Sequence, residues 1–282
     1  MRCCRPCRQW RPWGFTDSTP VLALCVLNQK GGTAKTTTAV HLAARYAADG
    51  VQTVLLDLDP QGHAARCLGV DSAMPSATAR LLREEASLAE VVVEARPELS
   101  LVASAGDVAQ VAAALPPADG VYRLADEAEA FRDYGAVVID CPPELGVLTL
   151  AASALVADLV SGGARGGLVV PVTPEPLAVV GLSDLLKTQR RLEPRGVMPP
   201  VFAVVPTRVD SRNRVTREVA EALEATFPGR VSPGVRTTVR LAEAPNVGQT
   251  IYEYDPGGRG AEDYSSVARF LVELAETNHA QA

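Results

Sequence analysis

Lysine is almost absent from this sequence. Of the 27 lysine and arginine residues, only Lys30, Lys35 and Lys187 are lysines. Such a bias indicates that arginine occupies the positions at which either lysine or arginine would be functional. Two of the three lysines flank one glycine pair, and a compact ammonium group fits between phosphates where a planar guanidinium does not. The shortage of lysine therefore marks residues 28–38 as a candidate phosphate-binding segment.

Long apolar runs and an excess of positive charge are also missing. No run approaches the roughly 20 residues that a membrane span needs, so no membrane partner is expected. The net charge is −6, so any DNA binding must come from a local patch. Cys25, Cys67 and Cys141 lack the spacing of a zinc site, which is typical of reduced cytoplasmic thiols. A content of 47% hydrophobic and 21% charged residues fits a soluble globular protein.

Residues 1–20 differ from the rest of the chain. They contain Cys3, Cys4, Cys7 and several arginines, but no apolar core of a secretory signal. A zinc half-site at the cysteines would lack an evident fourth ligand. We expect a disordered basic tail over 1–20, or a start codon assigned too far upstream, followed by a single domain over 21–282.

Strand-like and helical segments alternate along that domain. Strands are predicted at 21–27, 51–57, 99–103, 136–140, 168–172 and 201–205, and helices at 36–48, 146–157, 177–192, 214–226 and 261–276. Residues 76–96 and 105–131 are predicted to be mostly helical. This alternation predicts an α/β fold, a mostly parallel twisted sheet with helices on both faces. The glycine-rich stretch 161–167 is interpreted as a flexible loop insertion without a function.

The segment NQKGGTAKTTT at 28–38 follows the first predicted strand and leads into a helix. Such a loop directs backbone N–H groups and a helix N-terminus at one point, which suits a phosphate chain. Together with the alternating strands and helices, this loop predicts a fold of the P-loop NTPase type and a single ATPase domain over 21–282. Lys35 is expected to reach the β- and γ-phosphates of ATP, and the Thr36 hydroxyl to bind Mg²⁺. The predicted ATP-binding residues are Lys30, Gly31, Gly32, Thr33, Ala34, Lys35, Thr36 and Thr37.

Carboxylates end two other predicted strands. Asp57 and Asp59 lie in LLDLDPQG, and Asp140 lies in VVIDCPP. Ligands of parallel sheets bind at the carboxyl ends of strands, and carboxylates there hold Mg²⁺ directly or through water. Asp140 fits the Walker B role. Asp57 could instead cap the turn that follows it.

The loop pattern KGGxxKTT, with its extra lysine before the glycines, resembles the deviant Walker A motif of the ParA/MinD class of ATPases. Residues 134–149 are similar to the Walker B stretch of that class, and residues 239–264 resemble the C-terminal signature of its ParA/Soj branch. The resemblance covers about 21–275. Ala34 departs from the pattern, which usually has glycine there, and a Cβ would strain the loop if it requires a positive φ.

The resemblance implies roles for particular residues. Asp57 would belong to the magnesium shell with Thr36 and Asp140, and Asp59 would position the attacking water. Lys30 would cross a dimer interface to the partner's phosphates, so that two ATP molecules lie between two chains. Lys30, Lys35 and Asp59 are thus the expected catalytic residues of a slow ATPase.

The resemblance also implies partners. Arg212 and Arg240 would bind the DNA backbone without sequence preference, and Arg208 and Arg236 would lie near the adenine. A ParB-like centromere-binding protein would stimulate hydrolysis, and the homodimer would be cytoplasmic and associated with the nucleoid.

Three other functions are weighed against DNA partitioning. A MinD-like membrane-associated regulator would need a basic amphipathic C-terminal helix, but residues 265–282 contain one arginine and two glutamates. An iron–sulfur ATPase of the nitrogenase type would use Cys67 and Cys141, but it does not fit the C-terminal signature. An orphan ATPase that positions another cargo stays open.

Overall fold

Seven strands form one sheet in the computed structural model, which describes residues 22–71, 75–175, 178–210 and 212–279. The strands are β1 (Leu22–Val26), β2 (Thr53–Asp57), β3 (Val93–Arg96), β4 (Leu99–Val102), β5 (Ala136–Asp140), β6 (Arg165–Val172) and β7 (Val201–Pro206). Their order in the sheet is β3-β4-β2-β5-β1-β6-β7. Only β3, at one edge, is antiparallel to its neighbour. The predicted α/β class is therefore confirmed.

Helices cover both faces of the sheet. They are α1 (Lys35–Ala48), α2 (His63–Leu68), α3 (Ala77–Leu82), α4 (Leu88–Val91), α5 (Asp107–Ala114), α6 (Pro117–Gly120), α7 (Ala128–Phe131), α8 (Val147–Ser161), α9 (Ala178–Leu192), α10 (Arg214–Thr226), α11 (Arg240–Glu243), α12 (Ile251–Tyr254) and α13 (Arg259–His279). Short 3₁₀ turns lie at Ala125–Glu127, Glu193–Arg195 and Ala244–Val247. No helix within these described ranges is long and apolar enough to cross a bilayer. The predicted tail at 1–20 lies outside the described residues.

The core is divided by the sheet into two apolar layers. In β1, Ala23 and Cys25 face the layer under α8, whereas Leu22, Leu24 and Val26 face the layer under α1 and α13. All five residues are buried, which explains why the strand is a continuous apolar run. Helix α1 is therefore enclosed between the sheet and the C-terminal helix.

Two predicted segments were wrong. Residues 93–96 were expected to continue a helix, but they form the edge strand β3, and the helical part of 76–96 is limited to α3 and α4. Residues 161–167 were expected to form a loop insertion, but Arg165–Gly167 begins β6 and pairs with β1. Residues 105–131, predicted to be mostly helical, contain α5, α6, the 3₁₀ turn at Ala125–Glu127 and α7.

Glycine is required at the start of β6 because two chains approach closely there. Gly166 and Gly167 have φ values of +133° and +143°. A Cβ on Gly166 would overlap the backbone carbonyl of Ala23, its partner in β1. These glycines therefore let a central strand pair tightly, and they do not mark a flexible insertion.

Candidate nucleotide-binding site

Three strand ends bring the predicted site residues together. Val26, at the end of β1, pairs with Asp140 at the end of β5, and Asp140 pairs with Asp57 at the end of β2. The glycine-rich loop follows β1 directly and leads into α1. The loop and both carboxylates therefore lie at one edge of the sheet, where ligands of such folds bind.

The loop contains two left-handed residues. Gly32 has φ +73°, and Ala34, the residue before α1, has φ 66° and ψ 34°. The carbonyl of Ala34 accepts the first helical bond from the Thr38 amide at 2.8 Å. The condition under which Ala34 would strain the loop is thus met, at a cost of about 1–2 kcal/mol for a residue with a Cβ.

Lys35 is buried within its own loop. Its ammonium group donates to the Lys30 carbonyl at 3.3 Å. Burial lowers the pKa of Lys35, and the nearby charges of Asp140 and Asp59 oppose this shift. A bound phosphate would favour the charged form of Lys35 and would offset the cost of its desolvation. The buried ammonium group is therefore suited to bind an anion.

Lys30 faces a different direction. Its ammonium group forms an ion pair with Glu175, in the segment that follows β6, and both side chains are about half exposed, at 47% and 52%. Its backbone N–H donates to the Asn28 side chain at 3.0 Å. The two lysines that flank Gly31 and Gly32 therefore occupy separate environments, one buried and one at the surface.

Asp140 and Asp57 form a buried acidic pair. Both are 0% exposed. Burial raises the pKa of Asp140 to about 7; the charge of Asp59 adds to this rise, while the neighbouring Thr36 hydroxyl and Lys35 oppose it. Burial and the charge of Asp140 raise the pKa of Asp57 as well, although backbone amides donate to both of its oxygens, from Asp59 at 2.9 Å and from Ala64 at 3.2 Å.

The residues present fit a magnesium ion. Neither carboxylate oxygen of Asp140 has a hydrogen-bond partner among the described residues, although both oxygens are buried. Such groups require a proton or a cation. The described residues contain no group of three or more His, Cys, Asp and Glu side chains placed to hold a metal. Mg²⁺ needs no such cage, because it commonly takes one or two protein oxygens and completes its shell with phosphates and water.

Asp59 stands at the border of the site. It is half-buried, and its side chain accepts the Gln61 amide at 2.9 Å. Its charge reaches both Lys35 and Asp140. The carboxylate is thus fixed by its own turn and lies close to the phosphate loop.

A cavity of about 400 Å³ adjoins the loop. Its lining includes Ala34 and Thr37 from the loop side, together with Arg208 and Arg236. Arg236 pairs with Asp263 at 2.7 Å and with Glu262 at 3.3 Å. Arg208 has φ 55°, a left-handed conformation that costs about 1–2 kcal/mol. Both arginines therefore line the cavity beside the phosphate loop, and their contact with adenine, which the resemblance implies, stays a prediction.

The two arginines predicted to bind DNA are exposed. Arg212 is 89% exposed and pairs with Asp210 at 3.1 Å, and Arg240 is 54% exposed and pairs with Glu243 at 3.0 Å. Phosphate groups would have to compete with these surface carboxylates, which hold the arginines weakly. Their role in DNA binding stays a prediction.

Sequence reasoning missed the residues that support α1 from behind. His41 is buried, donates from Nδ1 to the Thr37 carbonyl at 2.6 Å and accepts the Ile251 amide on Nε2 at 2.9 Å. Tyr264 stacks on His41 with a centroid distance of 4.9 Å, and its hydroxyl is 3.3 Å from the Thr38 hydroxyl. A single histidine within a helix gives no signal in sequence, whereas Tyr264 lies in the C-terminal signature and could have been singled out.

A central parallel strand, a glycine-rich loop and a helix, with acidic residues on neighbouring strand ends, together define a P-loop NTPase. A family model described as "AAA domain" matches residues 21–197. The chromosome partitioning protein ParA of Caulobacter vibrioides is 34% identical over 276 residues, covering 94% of this chain and 99% of that protein. The sporulation initiation inhibitor protein Soj of Bacillus subtilis is 34% identical over 252 residues, covering 87% of this chain and 96% of its own length. This chain belongs to the ParA/Soj family of partitioning ATPases.

A solved structure supports the fold. The ATP complex of a variant of McdA from Cyanothece has a TM-score of 0.76 and 20% identity, covering 91% of this chain and 97% of that one. At this level of identity the similarity concerns the fold alone. It extends over nearly all of the domain.

Proposed function

We propose that this protein is an ATP-dependent DNA-partitioning ATPase that works as a homodimer with ATP and Mg²⁺. The observation that carries the proposal is the separation of two lysines around one loop. Lys35 is buried beside the loop, Asp59 and Asp140, whereas the Lys30 ammonium lies at the surface beside Glu175. A lysine that points away from the phosphate loop of its own chain can contact the nucleotide bound to a second copy. This supports a dimer with ATP between the chains.

Each site residue then has a distinct task. Lys35 would bind the phosphates of the ATP in the site of its own chain. Asp140, Thr36 and Asp57 would hold the Mg²⁺ ion, directly or through water. A Mg²⁺ ion held by these residues would supply positive charge that offsets the negative charge of the phosphates. Asp59 orients the water that attacks. Lys30 adds positive charge from the partner chain, a contribution comparable to that of an arginine finger, about 10³–10⁵ in rate.

The ATP-bound dimer would bind double-stranded DNA without sequence preference. The chain is acidic overall, with a net charge of −6, so attraction must come from a local patch. Exposed Arg212 and Arg240 supply such charge, and a dimer doubles the patch. A ParB-like partner would stimulate the slow hydrolysis and release the protein, which would be associated with the nucleoid in the cytoplasm.

Membrane attachment of the MinD type is disfavoured by the packing of α13. Its apolar face is buried against the layer that contains α1, through Tyr264, Val267, Leu271 and Val272. A membrane-binding helix needs a free apolar face and a basic polar face. The described part of α13 would have to leave the core to expose its apolar face.

The two lysines provide the decisive test. Lys35→Ala should weaken binding of a fluorescent ATP analogue at least tenfold, because it removes a buried charge-assisted contact worth about 1.5–3 kcal/mol. Lys30→Ala should retain binding within about threefold but abolish ATP-dependent dimerisation, measured by sedimentation in an Asp59→Ala background that blocks hydrolysis. Lys187→Ala is the matched control, since Lys187 is exposed and its ion-pair partner among the residues that the structure describes is Asp184. Equal loss of ATP binding in the Lys30 and Lys35 variants, or a dimer that survives without Lys30, would contradict the assigned roles.

DNA binding is tested in the same background. Arg212→Ala and Arg240→Ala should each weaken binding of random-sequence duplex and reduce its salt dependence by roughly one counterion, while the ATP-dependent dimer persists. Arg214→Ala is the control, because Arg214 is similarly exposed and pairs with Glu218. The assignment fails if both variants bind DNA like the parent, or if binding declines only together with the dimer.

A further inference from the structure

The Lys30 side chain begins at a fixed point of the nucleotide loop. The Lys30 amide donates to the Asn28 side chain at 3.0 Å. The Lys30 carbonyl accepts from the Lys35 ammonium and from the Thr33 hydroxyl, each at 3.3 Å. The main chain at this residue is therefore part of the loop that holds Lys35. The Lys30 ammonium nevertheless leaves that loop and pairs with Glu175.

Two neighbouring strands bring Glu175 to this place. Strands β1 and β6 are parallel, so the segments that follow them leave the sheet at the same edge. Just beyond β1, the Asn28 side chain donates to the Pro171 carbonyl in β6 at 2.7 Å. Just beyond β6, the Glu175 amide donates to the Thr173 carbonyl at 2.8 Å, a bond that turns the chain tightly. The ion pair is thus built on two segments that are themselves held by hydrogen bonds.

The ion pair lies at the surface and is exchangeable. Both side chains are about half exposed. A pair in contact with water contributes little to stability, because water and salt compete for both charges. Glu175 is the ion-pair partner of Lys30 among the residues that the structure describes. A stronger anion that approaches Lys30 from outside can therefore replace the Glu175 carboxylate.

A nucleotide bound to a second copy of this chain is such an anion. Phosphate oxygens bind an ammonium group through charge-assisted hydrogen bonds, and a triphosphate carries more negative charge than a single carboxylate. Lys30 would have to leave Glu175 before it could reach these phosphates. The Glu175 carboxylate would then lie close to phosphates of like charge, which is unfavourable at an interface. Both effects oppose association of the two chains.

We propose, on the basis of the ATP-bound dimer put forward above, that Glu175 is an autoinhibitory residue. Its carboxylate holds Lys30 in the free chain and has to release it to the partner's phosphates, so that the affinity of the dimer depends on two anions competing for one lysine. A symmetric dimer contains this exchange twice. An exposed ion pair changes an equilibrium by up to about fivefold, and two such pairs together by up to about 25-fold.

The ion pair can be observed directly because the chain contains only three lysines. Lysine labelled with ¹³C at Cε gives one NMR signal for each residue, and Lys30→Arg assigns the signal of Lys30. In the full chain without nucleotide, Glu175→Gln should shift the Lys30 signal and leave that of Lys187 in place. Asp184→Asn is the matched control, since Asp184 is the exposed partner of Lys187, and it should shift the Lys187 signal alone. An unmoved Lys30 signal in Glu175→Gln would overturn the proposal.

The effect on the dimer is measured by sedimentation of full-length Asp59→Ala protein with ATP and Mg²⁺. Addition of Glu175→Gln should lower the dissociation constant of the dimer at least fivefold, because the amide neither pairs with Lys30 as an ion nor repels phosphate. Glu175→Asp should lie closer to the parent, since it keeps the charge. Asp184→Asn should leave the constant unchanged within about twofold.

Binding of a fluorescent ATP analogue to the free chain is the second readout. It should agree within about threefold between the parent and Glu175→Gln, because the lysine that lies within the loop is Lys35. A dimer that is unchanged or weaker in Glu175→Gln, with the helical circular-dichroism spectrum intact, would overturn the autoinhibitory role and leave the ATP-bound dimer standing. Tenfold weaker binding of the analogue in that variant would also overturn it, because Glu175 would then act on the site of its own chain. A parent protein that stays monomeric with saturating ATP would overturn the proposed dimer itself.

Discussion

Replacing His41 with glutamine isolates one buried group that makes stability depend on pH. The ring satisfies two backbone groups as a neutral tautomer, donating to Thr37 and accepting the Ile251 amide. A proton on Nε2 would face that amide N–H and break the bond. Burial lowers the pKa of His41 to about 4 from 6.5, although Glu253 and the Thr37 carbonyl oppose the shift.

The direction of the effect follows from this lowered pKa. Between about pH 6.5 and 4 the unfolded chain binds a proton that the folded protein does not. His41 therefore costs stability as pH falls through this window, about 2 kcal/mol between roughly pH 7.5 and 5 and about 3 kcal/mol in all. Asp140, with a pKa raised to about 7, has the opposite effect, because its protonation favours the folded protein as pH falls. The pH dependence of wild-type stability alone therefore does not isolate the contribution of His41.

The difference between two proteins is diagnostic. Urea denaturation of the wild type and of His41→Gln should show the variant less stable by about 1–3 kcal/mol near neutral pH, because a buried hydrogen-bond pair is disturbed. That difference should shrink by about 2 kcal/mol near pH 5, since glutamine does not titrate there. His63→Gln is the control, because His63 is exposed, and it should run parallel to the wild type. A difference that stays constant with pH within about 0.5 kcal/mol would refute the neutral, buried state of His41.

Two backbone substitutions are expected to act in opposite directions. Ala34→Gly should raise the free energy of unfolding by about 0.5–1 kcal/mol, because glycine relieves the left-handed strain and loses part of that gain to entropy. A less stable variant in urea would show that the loop tolerates the Cβ without strain. Gly166→Ala should lower stability by about 3 kcal/mol or more, since the new Cβ meets the Ala23 carbonyl at a φ that alanine avoids. A circular-dichroism melting curve like that of the wild type would contradict the close approach of β1 and β6.

Sequence patterns predicted the fold where local and tertiary signals agree. Helix α10 was predicted with its bounds, because its apolar spacing follows Asn213, whose side chain caps the first turn at Val215. Strand β3 was missed because it is a short edge strand with exposed residues and lacks an apolar run. The start of β6 was missed because glycines usually indicate loops, and only its partner strand explains them here.

The same distinction between local sequence signals and tertiary contacts applies to the candidate site. The phosphate loop and the carboxylates are predictable because each lies in a contiguous motif at a strand end. The cavity beside the phosphate loop is assembled from Thr207 and Arg208, from residues 235–239, 241 and 242, and from Tyr264, which are distant in sequence. No contiguous segment of the sequence contains this cavity lining, and only the family resemblance pointed to Arg208 and Arg236. The His41 contacts depend on α13 and α12 closing over α1, which also cannot be read from one segment.

The enclosure of α1 has a consequence for how the protein can be divided. The matched family region ends at residue 197, yet the helix that carries the phosphate loop is bonded to Ile251 and covered by Tyr264 and its neighbours on α13. A fragment that stops at 197 would leave one side of this helix in water and would remove β7 and most of the residues that line the cavity beside the phosphate loop. The first and last thirds of the described chain are thus one cooperative unit. Partial proteolysis in the C-terminal third should release the nucleotide loop from its folded state and leave no stable ATP-binding core.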